Sequence, residues 1–490
     1  MSGNLDFDVL ILGGGPAGTC AALRLLDLGH KVALIEQQVF PRAQIGESLS
    51  LGIFNIFNYL KADHLLGDES YFRDLPASVI WENRSVQIIS PEQRGPGLMV
   101  NRGQLDLELI SLAVNRGLYL MQPAKMESCK KADGRWQVQI IKERQLKAIT
   151  ATFILDARGR NGALLKNKIV TAPASIAVWT HVNSAVFQSQ TIIEAVENGW
   201  LWGAPISGKQ FRIMAFADAV TFKEKRPLDL LFSFVKDSHL FKPAALGLSV
   251  QQIQTCKVDY YCHDIPWEDN YIRLGETALT LDPLSSTGVE KAMRGSLHAA
   301  IAINTILCGG KTAMAKTFYE DRLIESAITH VKWTADYYKQ AWPGTMFPFW
   351  KSRSEKRIIE SENKTHFQER FKQQFKLPPQ IGRSKQPEII NVKQVLESLW
   401  YREVKISPEL TFKKIPCVVN DRLELKTAIA HPCLEREITY LDQVELEPLL
   451  SELANGDTFG DLLHKWGMTL PLQQAARICA QLNGLGILES

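Results

Sequence analysis

A glycine-rich turn near the start of the chain has the residue types and spacing of a phosphate-binding site. The run GGGPAG supplies its residues, which are Gly13, Gly15, Pro16, Ala17 and Gly18. Glycine at the first position permits a tight turn, at the second it lets the backbone approach a pyrophosphate, and at the third it lets a helix pack closely on a sheet. Glu36 follows and can accept hydrogen bonds from a ribose diol. The pattern predicts a dinucleotide site, and a glycine turn without a ligand is the alternative.

The elements around the turn are those that such a site requires. An apolar run of strand type, Phe7–Leu12, precedes it, a helical run follows from Thr19 to Leu28, and a second strand, Lys31–Ile35, ends just before Glu36. A helix that begins at the turn directs unpaired N–H groups and its positive dipole end at the phosphates. The turn alone does not separate NAD from FAD. Because no second strand–glycine-turn–helix unit follows in the sequence, we expect a single FAD.

Two tryptophans and a histidine in later strand-like runs could act on a substrate. Trp200 and Trp202 are one residue apart in the run WLWGAP, so both indoles lie on one face of a strand. They could wall a channel between flavin and substrate, and packing in the core is the other interpretation. His181 is either an active-site residue or a hydrogen-bonded core group.

Four further stretches extend the nucleotide pattern, namely Phe40–Ser50, Asn101–Asp106, Ile154–Gly162 and Leu274–Met293. Together with the glycine turn they resemble the flavoprotein monooxygenases of the hydroxybenzoate-hydroxylase type, and within them the flavin-dependent halogenase branch, over residues 5–345. The resemblance implies that two arginines place positive charge near the pyrophosphate and that other residues lie beside the flavin. The arginines are Arg42 and Arg102, and the others are Ser48, Gly275, Asp282, Thr287 and Gly288.

The positions that halogenases use for halide chemistry differ in this sequence. Flavin halogenases need a lysine between flavin and substrate to handle hypohalous acid, and the matching segment, Phe72–Trp81, has Asp74 at about that place. An ionised aspartate can neither donate a proton to hypohalous acid nor form a chloramine. Ser285 stands where tryptophan halogenases have a glutamate. We therefore expect a monooxygenase in which Asp74 is a candidate base, or else an exposed loop residue, and a halogenase of an indole or phenol is the rival enzyme.

Two runs are similar to those of a smaller group within this family. LDPLSSTGVEKAM and Phe318–Tyr338 are similar to the flavoproteins that mature tryptophylquinone enzymes, which include the monooxygenase of quinohaemoprotein amine dehydrogenase biogenesis and the LodB-like maturases. This implies that reduced FAD and O₂ form a C4a-hydroperoxide, and that the ring of a tryptophan within a peptide or protein attacks it. A separate reductase is expected to supply reduced flavin. A flavin-bearing protein that escorts a partner is the non-enzymatic alternative.

Composition argues against several other classes of protein. The formal net charge of +3 is too small to indicate a nucleic-acid partner. The eight cysteines form no C-x-x-C pair, which predicts reduced thiols and no metal site. The sequence has neither a signal-peptide pattern nor an apolar run of about 18 residues, so we expect a cytoplasmic protein without a membrane span.

The predicted fold is α/β. A Rossmann-like FAD-binding fold covers residues 1–345, with an antiparallel β-sheet substrate domain inserted at about 75–100 and 170–265. The runs Arg135–Ile141, Ser175–Val182 and Phe211–Phe216 are assigned to that substrate sheet. An aromatic and proline-marked connector is predicted at 346–390, and a mainly helical or winged-helix-like domain at 391–490. This last domain is interpreted as a peptide-docking module or as a structural cap.

Overall fold

The computed structural model describes residues 5–95, 97–162, 167–220, 226–247, 253–341, 347–360, 362–377, 397–434 and 436–490. The chain forms two compact units. The first takes in Met1–Leu307 and Ala315–Phe371, and the second takes in Cys308–Met314 and Lys372–Ser490. The domain boundaries drawn from the sequence stay predictions, and positions 346, 361 and 378–390 of the predicted connector lie outside the described residues.

An eight-stranded sheet in the first unit carries the glycine turn. Its central strands are parallel, with β1 (Leu5–Leu12) between β2 (Val32–Ile35) and β11 (Gln145–Asp156). All four residues of β2 are buried, as expected for a strand covered on both faces. The order is β17-β18-β11-β1-β2-β8, and a hairpin of β9 and β10 pairs with β11. The remaining strands are β8 (Tyr119–Met121), β9 (Lys125–Ala132), β10 (Arg135–Lys142), β17 (Trp267–Glu268) and β18 (Tyr271–Arg273).

Helix α1 (Pro16–Asp27) connects β1 to β2 and packs against α4 (Arg102–Asn115) and α6 (Gly288–Leu307). This order of strand, glycine turn, helix and strand confirms the predicted Rossmann-like fold. The other helices of residues 5–377 are α2 (Gly52–Tyr59), α3 (Pro91–Arg94), α5 (Pro227–Asp237), α7 (Thr312–Gln340), α8 (Pro348–Ser354) and α9 (His366–Lys376).

A second eight-stranded sheet follows the order β19-β16-β12-β15-β14-β13-β5-β6. Its pairs are antiparallel except for the parallel pair of β13 and β5, which confirms the predicted inserted antiparallel sheet. One face packs on α5, and the other meets an aromatic cluster that includes residues of α7 and α8. Its strands are β5 (Ala77–Ile80), β6 (Gln87–Ile89), β12 (Lys168–Asn183), β13 (Thr191–Val196), β14 (Gly199–Ser207), β15 (Gln210–Asp218), β16 (Gln254–His263) and β19 (Leu279–Thr280).

The assignment of Arg135–Ile141 to the substrate sheet was wrong. This run is β10, which pairs with β9 and β11 in the first sheet. Because only short turns separate these three strands, they pair as neighbours in the chain. The runs Ser175–Val182 and Phe211–Phe216 lie in β12 and β15 of the second sheet, as predicted.

A small third sheet lies beside the second. Its order is β3-β7-β4, formed by β3 (Ser48–Leu49), β7 (Leu98–Met99) and β4 (Phe72–Arg73). All three strands are two residues long, and β7 pairs antiparallel with both others. This sheet fixes the backbone just after the segment 45–47.

The second unit has a hydrophobic core of its own. Trp466 and Ile478 are fully buried in it. Thr458 caps the helix that contains Trp466, with a reciprocal hydrogen bond to Asp461. Its elements are β20 (Lys405–Ile406), β21 (Thr411–Val419), β22 (Arg422–Ala430), β23 (Tyr440–Leu441), β24 (Val444–Glu445), α10 (Leu446–Ser451), α11 (Phe459–Gly467), α12 (Leu472–Gly484) and β25 (Leu488–Glu489).

Candidate functional site

The glycine turn has the geometry of a phosphate cradle. Gly13 has φ +102°, and a Cβ atom there would lie 2.5 Å from the carbonyl oxygen of Ala157. A Cβ on Gly18 would lie 1.9 Å from the carbonyl oxygen of Gly13. At Gly15 the nearest atom to such a Cβ is Nη2 of Arg42 at 3.4 Å, so this face of the turn is open. Glycine is thus required for packing at the first and third positions, and the second leaves room for a ligand.

The first turn of α1 is available to an anion. Gly15 is its N-cap and provides no side-chain cap, and Pro16 occupies the first turn. Ala17 is buried and lies near Gly275, whose φ is +56°. The unpaired N–H groups of the helix start therefore point towards the open side of Gly15.

Glu36 braces the turn from the end of β2. One carboxylate oxygen accepts from the Gly14 N–H at 2.7 Å and the other accepts from the Gln38 N–H at 2.7 Å. The side chain is almost fully buried. Each oxygen keeps a further lone pair, so these bonds do not prevent the ribose contact predicted for Glu36.

The two predicted pyrophosphate arginines have different surroundings. Arg42 lies beside the turn, 3.6 Å from the carboxylate of Glu36, and its Nε is buried without a partner in the described part of the chain. A phosphate oxygen could accept from that Nε. Arg102 is buried, and it donates to both carboxylate oxygens of Asp106 and to the carbonyls of Ile45 and Gly46. Arg102 therefore holds the backbone of residues 45–46.

Hydrogen bonds at the end of β11 hold the region around Gly275, which is predicted to contact the flavin. The Asp156 carboxylate accepts from Arg158 at 2.7 and 2.8 Å and from the Tyr271 hydroxyl at 2.8 Å. The Thr277 hydroxyl donates to the carbonyl of Asp156 at 2.5 Å. Thr277 lies two residues after Gly275, so these bonds hold the predicted flavin contact next to α1.

Asp282 anchors the loop before α6. Its carboxylate accepts from the Leu284 N–H at 3.0 Å and from the Tyr338 hydroxyl at 2.9 Å. Its own N–H donates to Nε2 of His330 at 2.9 Å. Burial raises the pKa of Asp282 and is the main cause that lowers the pKa of His330 to about 4. His330 is therefore a neutral acceptor at neutral pH, and both it and Tyr338 are site residues that the sequence analysis did not single out.

A cavity of about 380 Å³ lies where this loop meets the third sheet and β13. Ligand pockets typically measure about 300–1,000 Å³. Its apolar walls come from Leu49, Leu51, Phe72, Leu75, Leu98, Met99, Ile193 and Leu284. Its polar side chains come from Ser48, Ser50, Thr191, Ser285, Ser286 and Glu290. Thr287 and Gly288 follow directly and begin α6, so the predicted flavin residues Ser48 and 282–288 meet the substrate sheet here.

Glu290 was not identified from the sequence. It lies in the first turn of α6, and its carboxylate accepts from the Ser50 hydroxyl at 2.6 Å and from Arg294 at 2.7 Å. A Cβ on Gly52 would lie 2.2 Å from that carboxylate. It lies in the run LDPLSSTGVEKAM, but no local signal showed that it faces residues 50–52.

The structure does not bring the predicted catalytic residues together in this cavity. Asp74 is exposed, with φ +49°, and its neighbours Phe72 and Leu75 line the wall instead. Trp200 is buried and stacks on Phe216 at 4.0 Å. Trp202 is half-buried against the same aromatic cluster, so both indoles share a face of β14, as the alternation predicted. The catalytic roles of these residues stay predictions.

His181 belongs to a buried ionic network. Arg212 on β15 is 8% exposed, contacts Nε2 of His181 at 3.0 and 3.1 Å, and donates to the carboxylate of Glu47. Burial and the charge of Arg212 lower the pKa of His181. Since arginine can only donate, His181 Nε2 is the acceptor, and the ring proton is on Nδ1. The network ties the segment before Ser48 to the substrate sheet.

Two further findings concern other kinds of site. Within the described residues, no group of three or more His, Cys, Asp or Glu side chains is arranged to hold a metal ion. Of the helices that the structure describes, none is both long and apolar enough to cross a membrane.

Family models match most of the chain. The model for tryptophan halogenase matches residues 74–400, and one for an FAD binding domain matches residues 8–89. LodB of Marinomonas mediterranea, described by name as a putative FAD-dependent oxidoreductase, is 26% identical over 71% of this chain and 97% of its own. The tryptophan 2-halogenase of Chondromyces crocatus is 27% identical over 64% of each chain.

Solved structures share the fold over nearly the whole chain. The flavin-dependent halogenase CmlS superimposes with a TM-score of 0.73 at 20% identity, covering 100% of this chain and 96% of its own. The peptidyl tryptophan dihydroxylase QhpG superimposes with a TM-score of 0.72 at 18% identity, covering 98% of this chain and 99% of its own. At these identities the likeness establishes the fold.

Proposed function

Because the chain belongs to the tryptophan halogenase family of FAD-dependent oxidoreductases, we propose that it hydroxylates the indole ring of a tryptophan within a peptide or protein. The family match and the FAD-binding match confirm the flavin enzyme and the branch that the sequence indicated. QhpG is a peptidyl tryptophan dihydroxylase essential for tryptophylquinone cofactor biogenesis, and that protein shares the fold over 98% of this chain. These likenesses support an oxygen-transfer reaction on a protein-borne indole.

The composition of the cavity carries the proposal. No lysine occurs among the described residues that line it, and Asp74, at about the place of the halogenase lysine, is exposed. Hypohalous acid needs a lysine to receive it, whereas hydroxylation needs a dry, oriented ring and a proton acceptor. The apolar walls exclude water from such a ring, and the Ser50 hydroxyl offers a hydrogen-bond acceptor that helps to orient it.

The residues present fit FAD. The glycine turn, the free Nε of Arg42 and the carboxylate of Glu36 would hold the ADP half. Ser48 and the loop 282–288 would hold the ring end at the cavity. When bound and reduced, FAD together with O₂ supplies the electrophilic oxygen that enters the substrate ring. We include in the proposal a separate reductase as the source of reduced flavin and a cytoplasmic location.

Halogenation of an indole or phenol is the second candidate. The run WLWGAP resembles the W-x-W-x-I-P signature of flavin halogenases, with both tryptophans and the proline kept as Trp200, Trp202 and Pro205, and halogenases are among the relatives. A carboxylate is also present in the cavity, at Glu290. A chemical test must therefore separate the two reactions.

Intact-mass analysis separates them. The enzyme is incubated with chemically reduced FAD, O₂, bromide and chloride, and with tryptophan-containing peptides or proteins encoded near its gene. Gains in steps of about 16 Da, the mass of one oxygen atom, support the proposal. Gains of about 34 or 78 Da, for chlorine or bromine replacing hydrogen, contradict it in favour of halogenation. A tight complex with a partner that gains no mass would support the escort protein instead.

A further inference from the structure

One ionisable side chain, Glu290, is found among the described residues that line the cavity. It lies in the first turn of α6, and its side chain is 11% exposed. The other polar groups of the lining are hydroxyls, which at neutral pH exchange protons far less readily than a carboxylate. Any proton that leaves a substrate in this cavity thus has one nearby carboxylate to receive it.

The surroundings of Glu290 hold it in place and keep it ionised. The Ser50 hydroxyl donates to one carboxylate oxygen at 2.6 Å, and Arg294 donates to the other at 2.7 Å. Burial raises the pKa of Glu290, but these hydrogen bonds and the charges of Arg294 and Lys291 outweigh it, so its pKa lies below the ordinary value. The segment 48–52 packed against it carries no charged side chain.

The backbone opposite Glu290 leaves room for the carboxylate. Gly52 begins α2, and any side chain there would lie within 2.2–2.6 Å of the three carboxyl atoms of Glu290. Its φ lies outside the left-handed region, so steric room for Glu290 is the physical reason for glycine at this position. The carboxylate is thus seated between α2 and α6, in the lining of the cavity.

We propose that Glu290 is the proton acceptor in ring hydroxylation, an inference that rests on the proposed function. In the net reaction Ar–H, O₂ and reduced FAD give Ar–OH, oxidised FAD and water. One oxygen atom enters the ring, the other leaves as water, and the two electrons come from the flavin. The ring carbon that gains oxygen must lose its hydrogen as a proton to restore aromaticity. That proton is strongly acidic, so even a weakly basic carboxylate can take it, hold it during turnover and release it to solvent when the product leaves.

Asp74 is the competing acceptor. It was the candidate base from the sequence, but it is exposed and does not line the cavity, whereas Glu290 does. Ser285 also lines the cavity, five positions before Glu290, at the place where tryptophan halogenases have a glutamate. The cavity therefore has its carboxylate from α6 rather than from the loop.

The test compares matched carboxylate-to-amide changes, Glu290→Gln and Asp74→Asn, in the full-length flavoprotein. The probe is N-acetyl-L-tryptophanamide, with chemically reduced FAD and O₂, and the readouts are oxygenated product, H₂O₂, FAD affinity and the flavin absorption spectrum. We expect E290Q to keep wild-type FAD affinity and spectrum but to lose about 100-fold or more in the rate of hydroxylated product formation, with no rise in H₂O₂, because the O–O bond has already broken when the ring proton leaves. D74N should stay within about twofold of wild type, and Glu290→Asp should recover part of the rate.

The pH profile separates a proton acceptor from a structural group. The wild-type rate should fall as the pH falls through the pKa of Glu290, and E290Q should lack this acid limb. If E290Q does not bind FAD, Ser50→Ala serves instead, because losing its hydrogen bond raises the pKa of Glu290 and moves the acid limb to higher pH. An unchanged limb in S50A, or a wild-type rate in E290Q, overturns the role of Glu290 alone. A wild-type enzyme that forms no oxygenated product overturns the proposed function as well.

Discussion

Gly52 shows how one missing side chain can set the position of a distant carboxylate. Gly52→Ala would place a methyl group 2.2 Å from Glu290 and push the carboxylate away from Ser50. We expect the variant to bind FAD normally and to lose at least about tenfold in turnover, since small displacements of a reacting group are costly. Gly295→Ala is the control, because a Cβ there meets no atom within 4 Å and lies on the same helix as Glu290. Equal turnover in both variants would contradict the seating role.

A second residue-scale prediction concerns His330. Burial lowers its pKa to about 4 in the folded protein, against about 6.5 in an unfolded chain. Between these pH values the unfolded chain binds more protons than the folded protein. The contribution of His330 to stability is therefore fully present above about pH 6.5 and is lost as the pH falls towards 4. His330→Gln keeps an acceptor for the Asp282 N–H but does not titrate.

Urea unfolding at pH 7.5 and pH 5 measures the contribution of His330. Between pH 7.5 and pH 5, the free energy of unfolding of the wild type should fall by roughly 2 kcal/mol more than that of the glutamine variant. His298 and His263 also have lowered pKa values, of about 4 and about 3, but both proteins keep them. If the free energy of unfolding depends on pH in the same way in both proteins, protonation of His330 does not destabilise the folded state, and the prediction is wrong.

The sequence predicted single residues where the interaction is local. Gly13 and Gly18 lie in one turn, and the contact between them can be inferred from the spacing, whereas the contact of Gly13 with Ala157 cannot. Glu290 reaches Ser50 across 240 residues. No periodicity shows which distant side chain a glutamate on a helix will face. Asp74 was selected by its position in a motif, but a left-handed turn directs the chain so that its neighbours line the wall.

At the scale of elements, two arginines fix the short segment 45–47 from opposite sides. Arg102 on α4 binds the carbonyls of Ile45 and Gly46, and Arg212 on β15 binds the carboxylate of Glu47. Both contacts come from side chains that are less than 10% exposed. The flavin fold and the substrate sheet thus hold this segment jointly, and Ser48 of the cavity follows it directly.

Removing Arg212 should destabilise the first unit strongly. Arg212→Met leaves the buried Glu47 carboxylate without its cation, at a cost of about 3–5 kcal/mol. The control is Arg226→Met, which breaks the exposed pair with Asp229, in which Arg226 is 84% exposed, and it should change stability by less than about 1 kcal/mol. Thermal unfolding of both variants measures the difference. Similar midpoints would mean that water or other groups compensate Glu47.

Sequence periodicity predicted the strands, but it did not predict which strands pair with each other. The strand-like runs Ser175–Val182 and Phe211–Phe216 predicted β12 and β15 correctly. A similar run in β10 led to the wrong sheet, because a period of two residues shows which side chains share a face and says nothing about the neighbouring strand. The β21–β22 hairpin was likewise not anticipated beside the helices of the second unit.

At the scale of the whole molecule, the second unit has a hydrophobic core of its own, and we expect it to fold by itself. Trp466 is fully buried and donates to the carbonyl of Leu449 at 3.0 Å, inside a cluster that runs from Leu399 to Leu488. We expect residues 397–490, expressed alone, to unfold cooperatively with emission from a buried indole. Trp466→Ala should cost about 3–5 kcal/mol and abolish the transition. A gradual, non-cooperative melt of the parent fragment would contradict this prediction.

The contact between Ser50 and Glu290 cannot form until the chain between them has been synthesised. Ribosomes add about 5–20 residues per second, so the intervening 240 residues take roughly 12–48 s to make. Throughout that interval the nascent chain already carries Leu49 and Leu51, while the helix that completes their cavity does not yet exist. We therefore expect a chain that stops before Gly288 to expose these leucines to chaperones that bind apolar segments.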